Sequence, residues 1–235
     1  MEEWHKKLSY SVHHYVEDVI QTSDGDYIVV GGAGGDPLGG HAIKGKAFIL
    51  RMSEGGGVQW VKRYGIIDAP NNTFWGVVEA DDGGFVLAGE KLQDRNFEFY
   101  DHFWVMKTDA YGNEEWSIES GGNLWDEAQD IVKLSDDSYI VTGKTSLSST
   151  YLNMKVMRVS SSGQILWQNN HGGGNYDTAT GITLSQYEDM VAIYKIFFLY
   201  NEFMYYLIFL TGRHIFVSSS PSMLVNKFLP IPSIW

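Results

Sequence analysis

The 235-residue sequence contains no cysteine. Disulfide staples, thiol nucleophiles and thiolate metal sites are therefore excluded, and cysteine usage assigns no redox compartment. Positive charge is scarce too: 17 Lys and Arg stand against 29 Asp and Glu, a formal net charge of −12. A nucleic-acid partner needs a basic face to neutralise phosphates, so that class is set aside, and the acidic surface reads as a solubility device. The opening Met1-Glu-Glu-Trp-His-Lys-Lys lacks an apolar core and does not read as a secretory signal. That leaves a protein that stays in the cell or an amino terminus that is incomplete. Glycine is missing from one region only: 25 of the 26 glycines precede Met190.

What is present points to turn-rich β structure. Residues of the apolar class make up 44% of the chain, ample for a core, and 14 Tyr and 8 Trp suit the half-buried surface of strands. Glycine at this density is costly in helices and useful in turns.

The organising feature is a phrase written three times: Asp24-Gly-Asp-Tyr-Ile-Val-Val-Gly31, Asp82-Asp-Gly-Gly-Phe-Val-Leu-Ala-Gly89 and Asp136-Asp-Ser-Tyr-Ile-Val-Thr-Gly143. Tyr27 to Phe85 is 58 residues and Phe85 to Tyr139 is 54, a period typical of repeat architectures. A second phrase interleaves with it, an apolar run, a glycine turn and then tryptophan. Gly56, Gly112 and Gly163 each stand four residues before Trp60, Trp116 and Trp167. Glu2-Glu-Trp4 matches Glu114-Glu-Trp116, so residues 2–8 read as the orphan final strand of a further copy.

Period-two runs broken by turn residues give four strands per copy. In the middle copy they span 74–80, 85–90, 102–108 and 114–119, with a loop over 91–101. Asp, Asn and Gly supply the tight turns because they tolerate positive φ. Four antiparallel strands in about fifty residues predict a propeller blade. The expected fold is thus an all-β propeller with three full blades plus partial ones, an incomplete ring. Residues 1–194 form the repeat region, with repeats at 15–64, 73–120 and 127–168 and a partial one at 177–194. Residues 195–235 form a divergent hydrophobic tail.

Three readings of the tail compete. Ile196 to Leu210 could be a membrane span, but it is short and carries Asn201-Glu202 at its middle; membrane contact depends on 190–212 being a real span. It could be a degenerate hairpin turning at Asn201-Glu202. The preferred reading is a stretch foreign to the fold, such as a translated frameshift or intron.

The combined phrase, with FWVMKTDAYGNEEW at its centre, resembles the roughly fifty-residue delta-60-like β-propeller repeats of large secreted or surface proteins. It is distantly similar to quinoprotein-type propellers, whose equivalent tryptophan docks neighbouring blades, and to kelch propellers. The resemblance implies a propeller, a secreted or cell-surface setting if the amino terminus is incomplete, and, for some members, an endoglucanase-like activity. It supplies no quinone ligands here, and no cofactor is expected.

Candidate sites divide into repeated and unrepeated residues. Asp24, Asp82 and Asp136 could ligate calcium, but repetition favours acceptors of their own turn N–H groups. Trp60, Trp116 and Trp167, like Trp4, read as packing residues rather than sugar platforms, and Gly31, Gly89 and Gly143 as structural. Glu114 and Glu115 face opposite ways on a strand and make a poor acid/base pair. Asp126, Glu127 and Asp130 lie at a strand entrance and could point into a channel, but no partner can be assigned to them. His13-His14 and His41 build no metal site, and the glycine-rich run before His41 lacks the ending of a phosphate loop. No catalytic, cofactor-binding or metal-ligating set can be assembled.

Unrepeated loops at 33–45, 91–101 and 146–151 are the better places for specificity. Phe97, Phe99 and Tyr100 make the middle one aromatic, a candidate ligand-binding surface for a protein or glycan. The expected function is a non-catalytic binding scaffold. The alternatives are a glycan-active enzyme, which the resemblance alone suggests, and a surface protein anchored by the tail.

Overall fold

The computed structural model describes residues 14–33, 45–65, 72–95, 98–121, 124–148, 151–172, 177–184, 190–199, 202–211 and 214–218. Within them the chain is all-β and antiparallel. The first four strands are β1 (His14–Gln21), β2 (Tyr27–Ala33), β3 (Lys46–Met52) and β4 (Val58–Tyr64). The second four are β5 (Thr73–Glu79), β6 (Phe85–Arg95), β7 (Glu98–Thr108) and β8 (Glu114–Ser120). The third four are β9 (Glu127–Lys133), β10 (Tyr139–Ser148), β11 (Tyr151–Val159) and β12 (Ile165–His171). Then come β13 (Ala179–Leu184), β14 (Met190–Leu199), β15 (Glu202–Thr211) and β16 (His214–Ser218).

Each group of four is a meander in which consecutive strands pair. The first two meanders are not separate sheets, as the sequence expectation had them. The pair Gly32↔Thr73 joins β2 to β5 and makes one eight-stranded sheet. The tail runs as the hairpin reading describes: β14 pairs β15 from Met190↔Thr211 to Leu199↔Glu202, and β16 follows. Glu202 of the expected turn is the first residue of β15, and Asn201 lies outside the described residues. No helix among the described residues is long and apolar enough to cross a membrane.

Two expected loops are strands. β6 and β7 continue as a ladder to Arg95↔Glu98, so 91–95 and 98–101 are an extended hairpin. β10 and β11 likewise reach Ser148↔Tyr151. Once a ladder is in register, each further pair satisfies backbone groups that a surface loop would leave to water, and short polar runs follow it despite weak strand propensity. The loop at 33–45 lies outside the described residues apart from its two ends.

Period-two alternation puts one face of each meander against the next. Ile28, Val30, Ala47 and Ile49 of the first meet Phe74, Val77, Leu87 and Trp104 of the second. The opposite face of the second, with Val86, Ala88, Phe103 and Val105, meets Ala128, Ile131, Tyr139 and Val141 of the third. Ile140, Met154 and Val156 of the third then meet Ala179 and Ile182 of β13. Phe74 and Trp104 stack with centroids 4.5 Å apart, and each such buried aromatic contributes about 2–3 kcal/mol of transfer free energy.

The repeated residues have repeated jobs. Gly31, Gly89 and Gly143 sit where β1, β5 and β9 bulge toward them, and a Cβ at any of the three would drive into a backbone carbonyl oxygen, of Tyr15, Thr73 or Glu127. Trp60 packs on Gly112 of the following meander and Trp116 on Gly163, where a Cβ would come within 2.8 Å of the indole. Trp116 Nε1 also donates to the Ser161 carbonyl at 3.0 Å. Trp167 is partly buried against the third cluster, and Trp4 lies outside the described residues.

Candidate functional site

The two ends of the strands carry charge differently. At the β1–β2, β5–β6 and β9–β10 turns, each aspartate is held locally: Thr22 Oγ1 donates to Asp24 at 2.6 Å, Gly84 N to Asp82 at 2.9 Å and Ser138 N to Asp136 at 3.1 Å. A basic residue on the third strand of each meander clamps the other oxygen, Arg51 on Asp24 at 2.5 Å, Lys107 on Asp82 at 2.5 Å and Arg158 on Asp136 at 2.6 Å. All three carboxyls are held below the usual carboxylate range. For Asp24 and Asp136 the neighbouring hydroxyl is the first cause; for Asp82 burial is the largest influence and pushes up, and Lys107 together with the Gly84 N–H brings the carboxyl down against it. The clamping cations were not part of the sequence reading, although each stands at the same place in its copy.

At the opposite end, the face of the second meander that packs on the third changes character. Along β6, Val86 and Ala88 are followed on the same face by Glu90; along β7, Val105 and Phe103 are preceded on it by Asp101. A parallel bridge from Asp101 to Trp125, and a hydrogen bond from Asp126 N to the Asp101 carbonyl at 3.0 Å, hold the entrance of β9 beside β7. Glu127, the first residue of β9, is thereby brought to the two acids. Oxygens of Glu90, Asp101 and Glu127 all lie within 4.8 Å of one another.

Among the described residues a single cation enters this cluster. Lys144 Nζ sits 2.7 Å from Glu127 Oε1, with both side chains largely buried. The other oxygen of Glu127 accepts from Gln129 Nε2 at 3.3 Å. Glu90 is 8% exposed, and its carboxyl has no hydrogen-bond donor among the described residues. Burial, then Glu127 and Asp101, and less strongly Glu17, push its pKa up to about 9 against the pull of Lys144. Asp101 is pushed up to about 6 by burial first, then by Glu127 and Asp126, again against Lys144. Burial first, and the neighbouring carboxyls second, hold both groups above the ordinary carboxylate range.

The cluster occurs once. Glu90 directly follows the structural glycine Gly89, and the residues after Gly31 and Gly143 are Gly32 and Lys144. Asp101 offers its carbonyl to the start of the next meander as Gly45 and Leu152 do. Glu127 occupies the place of Thr73 and Tyr15 against the glycine. At the junction of the first and second meanders the same three places hold Gly32, Gly45 and Thr73, all uncharged. A second set of residues repeats without having been singled out as such: Asn72, Asp126 and Asp177, all buried, pack their side chains against Gly65, Gly121 and Gly172 and tie each fourth strand to the next first strand. Asp126 therefore serves a junction rather than facing an open channel.

Of the other expected site residues, Phe99 and Tyr100 lie on β7 opposite Asp94 and Gln93 in the extended hairpin, and Phe97 lies outside the described residues. Asp130 caps a strand edge, its Oδ2 accepting from Ile182 N at 2.8 Å, as Asp18 does for Val77 N at 3.0 Å. Glu114 and Glu115 remain exposed on β8, and Glu115 pairs with Lys107. His13 and His41 lie outside the described residues. The sequence reading assembled no metal-ligand set; the structure gathers three carboxylates from β6, β7 and β9 that form a candidate one. No protein-family model matches the chain, and no curated protein matches it.

Proposed function

We propose that the chain is a non-catalytic β-propeller scaffold of the delta-60-like kind, binding a protein or glycan ligand through its extended β6–β7 hairpin. The observation that carries this reading is the stacking of successive four-stranded meanders face to face. The first is docked on the second, and the second on the third, by a tryptophan set on a glycine turn, and the first strands β1, β5, β9 and β13 lie beside one another. Such an arrangement is rigid where the sequence repeats and free to vary in the hairpins, which is where binding surfaces are built. By sequence, Phe99 and Tyr100 of β7 and the nearby Phe97 are aromatic residues of the kind that ligands stack on.

The test is a screen on a glycan array and on immobilised β-glucans, with wild type compared with a Phe97→Ala, Phe99→Ala, Tyr100→Ala triple variant. Binding by wild type that the triple variant loses supports the reading; equal binding of every probe by both proteins contradicts it.

The converging carboxylates favour one second reading, glycan hydrolysis, since Glu90, with its raised pKa, lies beside the Lys144-paired Glu127, an asymmetry of the kind an acid/base pair has. Burial argues against it. Glu90 is 8% exposed and the Glu127 side chain 13%, so a sugar ring has no way between them. Aryl-glycoside and β-glucan hydrolysis that is lost in Glu127→Gln would reinstate it.

A further inference from the structure

We propose that Glu90, Asp101 and Glu127 form a binding site for a single hard divalent cation, calcium foremost, that ties the second meander to the third. The inference does not depend on which ligand the hairpin takes.

Three observations support it. The oxygens of the three carboxylates lie within 4.8 Å of one another, a spread that fits ligands around one ion at about 2.3–2.6 Å from each. Glu90 is more than nine-tenths buried and has no donor among the described residues, and its carboxyl points at the other two. A buried carboxyl without a donor is costly unless something supplies positive charge or a proton. The cluster is also confined to one junction, whereas Gly32, Gly45 and Thr73 fill the same places at the preceding one. The fold therefore does not need acids there.

Charge and ligand chemistry select the ion. With all three ionised, as ligands to a metal are, three carboxylates against the one ammonium of Lys144 leave two negative charges, which one divalent ion neutralises; the ion takes the place of the proton that the crowded cluster otherwise holds. The donors are all oxygen, with no histidine or cysteine, so hard cations are favoured over zinc or copper. The ligands come from three strands of two packed meanders, which does not impose an octahedron, and this favours calcium over magnesium. Lys144 stays on Oε1 of Glu127 and orients that carboxylate toward the ion.

The test is isothermal titration and thermal unfolding of the whole chain, freed of metal by a chelator, with calcium chloride and magnesium chloride as probes. Saturable calcium binding at one site per chain is expected, with Tm rising by roughly 5–10 °C at a hundredfold excess over Kd. Glu90→Gln and Asp101→Asn should each weaken binding by at least about tenfold. Asp24→Asn, at the far end of the strands, should bind as wild type does. Absence of heat and of a Tm shift in wild type up to about 10 mM of either ion overturns the proposal, whether or not the variants fold. Undiminished binding by Glu90→Gln and Asp101→Asn overturns it as well.

Discussion

The two ends of the same strands hold acids in opposite ways. At the turn end, every aspartate that recurs, Asp24, Asp82 and Asp136, is matched by its own cation and by a donor from its own turn. At the other end, Glu90, Asp101 and Glu127 share one lysine. The first arrangement recurs in each meander and serves folding; the second is written once and costs folding something. Acids repeated with partners are scaffold, and acids gathered without them are where function is to be sought.

The frame that both ends rely on gives the largest expected effect. Gly143→Ala forces a Cβ into the Glu127 carbonyl, at the root of the acid cluster. It should destabilise the protein by about 3 kcal/mol or more, measured by urea unfolding. Retention of wild-type stability would mean that β9 does not bulge there. Next is Lys144→Met in cation-free protein. Removing the one ammonium from a mostly buried carboxylate should cost about 2 kcal/mol, and added calcium should recover part of it. Lys107→Met makes the contrasting change at the turn end. It leaves Asp82 and Glu115, which are 56% and 43% exposed in their side chains, free to take up water, so the cost should be nearer about 1 kcal/mol. Equal losses for the two lysines would remove the distinction between the ends.

The pH dependence distinguishes the ends by its sign. Glu90 and Asp101 have raised pKa values in the folded state, so the folded protein holds protons that the unfolded chain releases. Their contribution is fully present below the unfolded carboxylate range and is lost as pH rises, through about 6 for Asp101 and about 9 for Glu90. Asp24, Asp82 and Asp136 are lowered, so theirs is present above that range and lost as pH falls below it. Cation-free wild type should therefore lose stability gradually toward pH 9, by less than about 1.4 kcal/mol per pH unit for each group, while Glu90→Gln should be flatter. A Tm that rises steadily with pH would contradict this.

Most of the strand pattern could be read from the sequence because alternation and glycine turns are local signals: the stretches 74–80, 102–108 and 114–119 fall on β5, β7 and β8. The tryptophans were legible as packing residues from their fixed distance to glycine. The hairpin extensions were not, since 91–95 and 98–101 are polar or aromatic runs whose strand state is set by the ladder already formed beside them. The acid cluster was half visible. Glu127 was noted at a strand entrance, but its partners Glu90 and Asp101 are distant in sequence and meet it only through the packing of two meanders. Superposing the three copies residue by residue would have exposed Glu90, because the place after the structural glycine is Gly32 in one copy and Lys144 in another. The junction residues Asn72, Asp126 and Asp177 were obscured by differing residue type and spacing.

The central claim, that one end is compensated and the other is not, is most directly tested by a carboxyl-detected NMR titration of the chelator-treated protein with Glu90, Asp101, Asp24, Asp82 and Asp136 assigned. The account predicts midpoints near about 9 for Glu90 and about 6 for Asp101, with the three turn aspartates below the ordinary carboxylate range. Midpoints for Glu90 and Asp101 within the ordinary carboxylate range would show that the cluster is not crowded, and would contradict it.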